Sequence, residues 1–201
     1  MKPPLNRRPI VVMVAGPNGA GKTTFYHTHL KAAALRFLNT DVLAKDLAID
    51  AYRAAEIAGQ LRDQLLAQKE SFVFETVFSD PVGDKVNFLQ RAATRGYTVV
   101  LFFIGIDSPE LSKKRVKLRV SQGGHSVPTE KLITRYPRTM ANLRRAIGAL
   151  PFVYVYDHSD LAHPYQLVAE YRDGKLTKAV KQIPAWLEKN LPVLPADGDK
   201  D

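Results

Sequence analysis

The chain has 201 residues, 45% hydrophobic and 24% charged, which suits a single domain over 1–201 with an ample core. It contains no cysteine, so disulfides, zinc–thiolate sites and cysteine nucleophiles are excluded, and no apolar run has the length of a membrane span. The formal charge of +9 favours anionic partners: nucleotides, phosphorylated sugars, nucleic acid or an acidic protein.

Residues 1–8 read as a loose basic lead-in. A signal peptide is rejected, because its removal would take the strand that follows, and a cytoplasmic protein is expected. Pro9 to Ala15 is a short apolar run rich in β-branched residues, as a buried parallel strand requires. Next comes Gly16-Pro17-Asn18-Gly19-Ala20-Gly21-Lys22-Thr23, and a helix predicted over 22–34. Leu35–Asn39 is a second strand, after which Thr40 or Asp41 is expected to cap a helix. Residues 49–69 have helical spacing, with Ala54, Ile57, Ala58, Leu61, Leu65 and Leu66 on a core face.

Ser71–Phe78 is the third strand, and a helix over 82–95 stops at Gly96. Tyr97–Ile106 is the fourth strand. Ser108 can cap the next helix, with Pro109 in its first turn. Gly123-Gly124-His125-Ser126-Val127-Pro128 breaks the helical pattern, which resumes over 129–149. Phe152–Tyr156 is a fifth strand, Tyr165–Val180 a closing hairpin turning at Arg172–Lys175, Trp186 lies in a short amphipathic segment, and the tail after 191 is expected to be mobile. Strands alternating with helices predict an α/β P-loop fold: a mostly parallel sheet flanked by helices, with a helical lid and a C-terminal hairpin.

Gly16 to Thr23 fits G-x-x-x-x-G-K-[ST], in the strand–loop–helix context that the P-loop needs. The glycines let successive backbone N–H groups turn inward around phosphates, and the helix N-terminus adds its dipole. Lys22 can reach the terminal phosphates, and the hydroxyl of Thr23 can ligate Mg2+. Gly16 to Thr24 is therefore the expected ATP-binding segment.

Ligands of doubly wound sheets sit at the carboxyl ends of the strands, which singles out Asp41 and Glu75. Transfer of phosphate to an alcohol needs a group to orient the hydroxyl and take its proton, which suits Asp41. It also needs polar groups to hold the acceptor, which suits Glu75 and Thr76; simple N-capping is the other reading of Asp41. Arg115 and Arg119 share one helix face, Arg135 and Arg138 lie on the next helix, and one or two of the four are expected to close over the transferred group. His125 is read as shaping the lid or hydrogen bonding, since no second ligand stands at metal spacing.

Together the P-loop, Leu38-Asn39-Thr40-Asp41, Phe74-Glu75-Thr76, the run from Arg115 to Pro128 and Arg135-Tyr136-Pro137-Arg138 resemble the zeta toxin family of small P-loop kinases, in a short branch marked by Gly-Gly-His-x-Val-Pro. The resemblance implies transfer from ATP to the 3′-hydroxyl of a UDP-N-acetyl sugar, toxicity to the cell and a protein antitoxin. It also implies that Lys22 and Thr23 bind phosphate and Mg2+, that Asp41 is the base, that Glu75 holds the acceptor, and that Arg119 and Arg135 bind phosphate. Val77 and Ser79 stand where established sugar-nucleotide kinases of the family carry Thr and Arg, which argues against a sugar nucleotide and makes a nucleoside, a sugar or another small alcohol a candidate acceptor. Two further readings compete: a polynucleotide kinase, which the charge favours although no aromatic platform accompanies it, and a nucleotide-binding switch without an acceptor.

Overall fold

A computed structural model of the chain describes residues 3–124 and 126–190. Ile10–Ala15 forms β1, and all six of its residues are buried. Val11, Met13 and Ala15 enter one hydrophobic cluster, while Ile10, Val12 and Val14 enter another. This alternation is why a continuous apolar run suits a strand covered on both faces.

The remaining strands are β2 (Arg36–Leu38), β3 (Phe72–Thr76), β4 (Thr98–Gly105), β5 (Phe152–Asp157), β6 (Gln166–Arg172) and β7 (Lys175–Ala179). They form a sheet in the order β2-β3-β1-β4-β5-β6-β7, parallel through β5, with β6 and β7 antiparallel. The helices are α1 (Lys22–Phe25), α2 (Thr40–Asp46), α3 (Ala51–Ala67), α4 (Asp84–Thr94), α5 (Pro109–Ser121), α6 (Thr129–Ala149) and α7 (Ala185–Glu188). A π-type turn over Tyr26–Leu30 and a 3-10 turn over Lys31–Ala33 extend α1 to nearly the predicted length. This is the P-loop kinase-like α/β fold that the pattern of strands and helices predicts.

Helix starts follow side-chain chemistry. The side chain of Ser108 accepts the Leu111 N–H at the head of α5, and that of Asp50 accepts the Tyr52 and Arg53 N–H groups at the head of α3. The expected cap of α2 is corrected: Asn39, not Thr40 or Asp41, accepts the Asp41 and Val42 N–H groups, at 2.8 and 3.3 Å. Asp41 is therefore the second helical residue, and its carboxylate is released from capping. On the core face of α3, Ile57 and Leu61 are only half-buried, unlike Ala54, Ala58, Leu65 and Leu66. His125 and the tail after 191 lie outside the described residues.

Helix α6 fixes the segment that leaves β3. Thr139 donates its hydroxyl to the Val77 carbonyl at 2.9 Å, and Asn142 donates to the carbonyls of Phe78 and Asp80 at 2.9 and 2.8 Å. Both side chains are fully buried, so these bonds satisfy polar groups cut off from water. They hold Phe78 in a left-handed conformation, φ 63°, that a bulky residue rarely adopts.

Candidate active site

The P-loop leaves the carboxyl end of β1 under tight steric constraint. Gly16 has φ 148°, and a Cβ there would stand 2.1 Å from the Ile104 carbonyl oxygen, so β4 passes where only a glycine fits. Ser112 on α5 donates to the Asn18 carbonyl at 2.7 Å, and Lys22 donates from Nζ to the Pro17 carbonyl at 3.0 Å. Lys22 is buried, and that burial holds its ammonium below the ordinary lysine range; nearby Glu75 and Asp41 favour the charge, and Arg119 opposes it. All three groups therefore act on the P-loop lysine.

A clamp behind the loop is not foreseen from the sequence. His158, just past β5, places Nδ1 2.8 Å from the Ala20 carbonyl oxygen, and Tyr165 donates its hydroxyl to the Gly21 carbonyl at 2.9 Å. A carbonyl only accepts, so His158 carries its proton on Nδ1. The two rings stack 4.0 Å apart. In a trans peptide the C=O and the following N–H point in opposite directions. Holding the Ala20 and Gly21 carbonyls toward the clamp thus turns the Gly21 and Lys22 N–H groups to the opposite side of the loop. A Cβ on Gly21, at φ 82°, would approach the His158 ring and the Tyr165 hydroxyl to 2.8 Å. A signal for this clamp does exist in the sequence: His158 follows a strand at its carboxyl end, where the rule applied to the second and third strands also points.

The acids meet at the same edge. β3 lies beside β1 with Glu75 opposite Val14, and β2 lies beside β3 with Leu38 opposite Phe74. Strand order therefore lines up Asn39, Glu75 and the P-loop. The Thr23 hydroxyl donates to Glu75 Oε2 at 2.7 Å, and Asn39 Nδ2 donates to the same oxygen at 3.1 Å. Asp41, Glu75, Thr76, Val77, Ser79 and Arg135 all line one cavity of about 380 Å3. Thr76 also accepts the Phe78 N–H on its hydroxyl oxygen at 3.0 Å, closing the turn into that cavity.

The four arginines separate. Arg135 lines the cavity, and Arg119 is close enough to Lys22 to oppose its charge. Arg115 donates to the Ser159 carbonyl at 2.9 Å, which ties α5 to the loop after β5, and Arg138 is exposed. Among the described residues no group of three His, Asp or Glu side chains could enclose a metal. A Mg2+ site here would therefore depend on Thr23, water and phosphate oxygens, as such sites commonly do. Nor, among them, is any helix long and apolar enough to cross a membrane.

A P-loop set at the head of a parallel sheet, with acids and arginines at the same edge, defines a P-loop kinase-like nucleotide-binding protein. The family model described as AAA domain matches residues 11–141, and the chain belongs to that family. The fold is similar to that of the PezAT chromosomal toxin–antitoxin system of Streptococcus pneumoniae, with TM-score 0.56 and 16% identity, covering 92% of this chain and 79% of that one. It is similar to the AvrRxo1-ORF1:-ORF2 complex with ATP, with TM-score 0.60 and 17% identity, over 96% of this chain and 66% of the other. It is also similar to a gluconokinase from Sinorhizobium meliloti 1021, with TM-score 0.50 and 17% identity, over 79% of this chain and 86% of that enzyme.

Proposed function

We propose that the protein is an ATP-dependent phosphotransferase of zeta-toxin type, acting as one domain in the cytoplasm and passing the γ-phosphate to a hydroxyl of a small acceptor. The observation that carries this reading is that Asp41 and Glu75 line one cavity and both act on the charge of Lys22. A protein that only held nucleotide would have no need of two carboxylates facing a second pocket.

Asp41 orients the acceptor hydroxyl and takes its proton as the oxygen attacks phosphorus in line. Glu75, Thr76 and Asn39 hold the acceptor. Lys22, the loop N–H groups, Arg119 and Arg135 bind the triphosphate and stabilise the charge that develops on the moving group. Mg2+ suits this donor set: the Thr23 hydroxyl would ligate it, with Glu75 and Asp41 holding its waters. When bound, the ion supplies neutralisation of phosphate charge.

The AvrRxo1 complex with ATP supports ATP as the donor. The likeness to PezAT supports a toxic role under the control of a protein antitoxin. The size of the cavity supports a small alcohol over a polynucleotide, and a UDP-N-acetyl sugar, a nucleoside and a sugar remain the candidate acceptors. Incubation with γ-labelled ATP, Mg2+ and a metabolite extract tests the reading: a labelled small molecule is expected, and its absence in wild type as in Asp41→Asn overturns it. Growth arrest on expression of wild type, but not of Asp41→Asn, tests the toxic role.

A further inference from the structure

The cavity is lined by both acids and cations. Glu75 is engaged by Thr23 and Asn39, and Asp41 acts on the charge of Lys22. The remaining acid of the wall, Asp80, accepts from the Asp84 N–H and from Asn142. Two further cations line the same cavity. Arg62 projects from α3 and Lys85 from the first turn of α4; both are half-buried, and neither forms an ion pair or a hydrogen bond among the described residues.

Arg62 is held in place by aromatic rings. Its guanidinium lies 5.2 Å from the centre of the Phe74 ring and 5.9 Å from that of Phe88, and Nε is buried with no partner. Burial lowers its affinity for its proton, and Asp63 restores only part of it. A desolvated guanidinium with unused donors is costly unless an anion completes it. The nearest cation on α4 beyond Lys85, Arg91, is already paired with Asp63 at 3.7 Å; of the three cations that line the cavity, Arg135 is assigned to the triphosphate, which leaves Arg62 and Lys85 for the acceptor.

We propose that the acceptor carries an anionic group, a carboxylate or a phosphate, which Arg62 and Lys85 bind in the cavity that Asp41 also lines. An arginine fork matches either anion with two parallel hydrogen bonds, and Lys85 adds a point charge. Such a group would set the orientation of the acceptor: anion at Arg62 and Lys85, hydroxyl at Asp41. This inference rests on the phosphotransferase reading above.

The test starts from the same metabolite extract, split on an anion-exchange resin before labelled ATP is added. Acceptor activity confined to the retained fraction is expected; labelled product from the flow-through overturns the proposal and leaves the phosphotransferase intact. No product from either fraction or from the whole extract overturns the phosphotransferase and this inference with it. Prior treatment of the retained fraction with phosphatase and nucleotide pyrophosphatase distinguishes the two anions, since only a phosphate-bearing acceptor then moves to the flow-through. With the purified acceptor, Arg62→Met, which keeps the apolar stem on Phe74, and Lys85→Met should each raise the acceptor KM about ten- to a hundred-fold with little change in kcat. Arg62→Lys should recover part of that loss. An unchanged acceptor KM in correctly folded Arg62→Met, checked by circular dichroism, overturns the assignment.

Discussion

Thr23, on the first turn of α1, donates its hydroxyl to the Glu75 carboxylate at 2.7 Å, joining the phosphate loop to the end of the neighbouring strand. The pair places the hydroxyl expected to ligate Mg2+ against the acid expected to face the acceptor. In the proposed reaction Glu75 would therefore serve both sides of the transfer, accepting from a water of the ion on one side and bordering the acceptor cavity on the other.

Glu75→Gln should weaken Mg2+ binding more than nucleotide binding. Removing an outer partner of a metal site costs about 10- to 100-fold in metal affinity. The Mg2+ concentration giving half-maximal thermal stabilisation by ATP should rise by about tenfold or more, while stabilisation by ATP in EDTA stays the same. An unchanged Mg2+ midpoint would detach Glu75 from the ion.

Asp41 does not cap α2, so its replacement should leave the fold unharmed. Asp41→Asn is expected to lower kcat by about 10²- to 10⁴-fold, the range for a positioned general base. The dissociation constant for ATP should stay close to the wild-type value. Calorimetry with a non-hydrolysable analogue and initial-rate measurements separate the two effects.

The His158–Ala20 contact gives a pH signature. Burial lowers the pKa of His158 below its ordinary value of 6.5. Below that value the unfolded chain binds the proton before the folded one, so stability falls as pH drops from 6.5 through the lowered folded-state value. One proton contributes at most about 1.4 kcal/mol per pH unit. His158→Asn, whose amide can still donate to the Ala20 carbonyl, should lose this part of the acid sensitivity while keeping affinity for ATP. Denaturant unfolding of both proteins between pH 5 and 7 checks the difference.

Two glycines should respond in opposite directions to the same change. Gly16→Ala drives a Cβ into the Ile104 carbonyl at 2.1 Å from a positive φ, and should destabilise by about 3 kcal/mol or more and abolish nucleotide binding. Gly148 is exposed on α6, and an added methyl there would meet nothing within 4 Å. Its replacement by alanine should stabilise by about 0.5–1 kcal/mol. Midpoints of thermal unfolding read both.

Much of the site is legible from local chemistry. The run from Pro9 to Leu30 declares strand, loop and helix because a β-branched apolar stretch, a glycine-rich turn and a helix start occur in the one order that a P-loop allows. Ser108-Pro109 and Gly96 mark helix ends for equally local reasons, capping and positive φ. Asp41 and Glu75 can be singled out because acids at the ends of apolar strands need a polar reason to be there. The cap of α2 falls one residue before the expected pair because Asn39, Thr40 and Asp41 all have capping side chains, and only backbone geometry selects among them.

Sequence order therefore determines which segments become strands, where the phosphate loop lies and which acids stand at strand ends, since each depends on interactions within a few residues. It does not determine that β3 lies between β1 and β2, the arrangement that lets Asn39 and Thr23 meet on Glu75. Nor does it reveal that His158 and Tyr165 hold the loop carbonyls from behind, or that Arg62 and Lys85 share a cavity wall with Asp41. Those relationships arise from contacts between residues distant in the chain, and only the packing of the sheet and its helices decides which of the many compatible side chains meet.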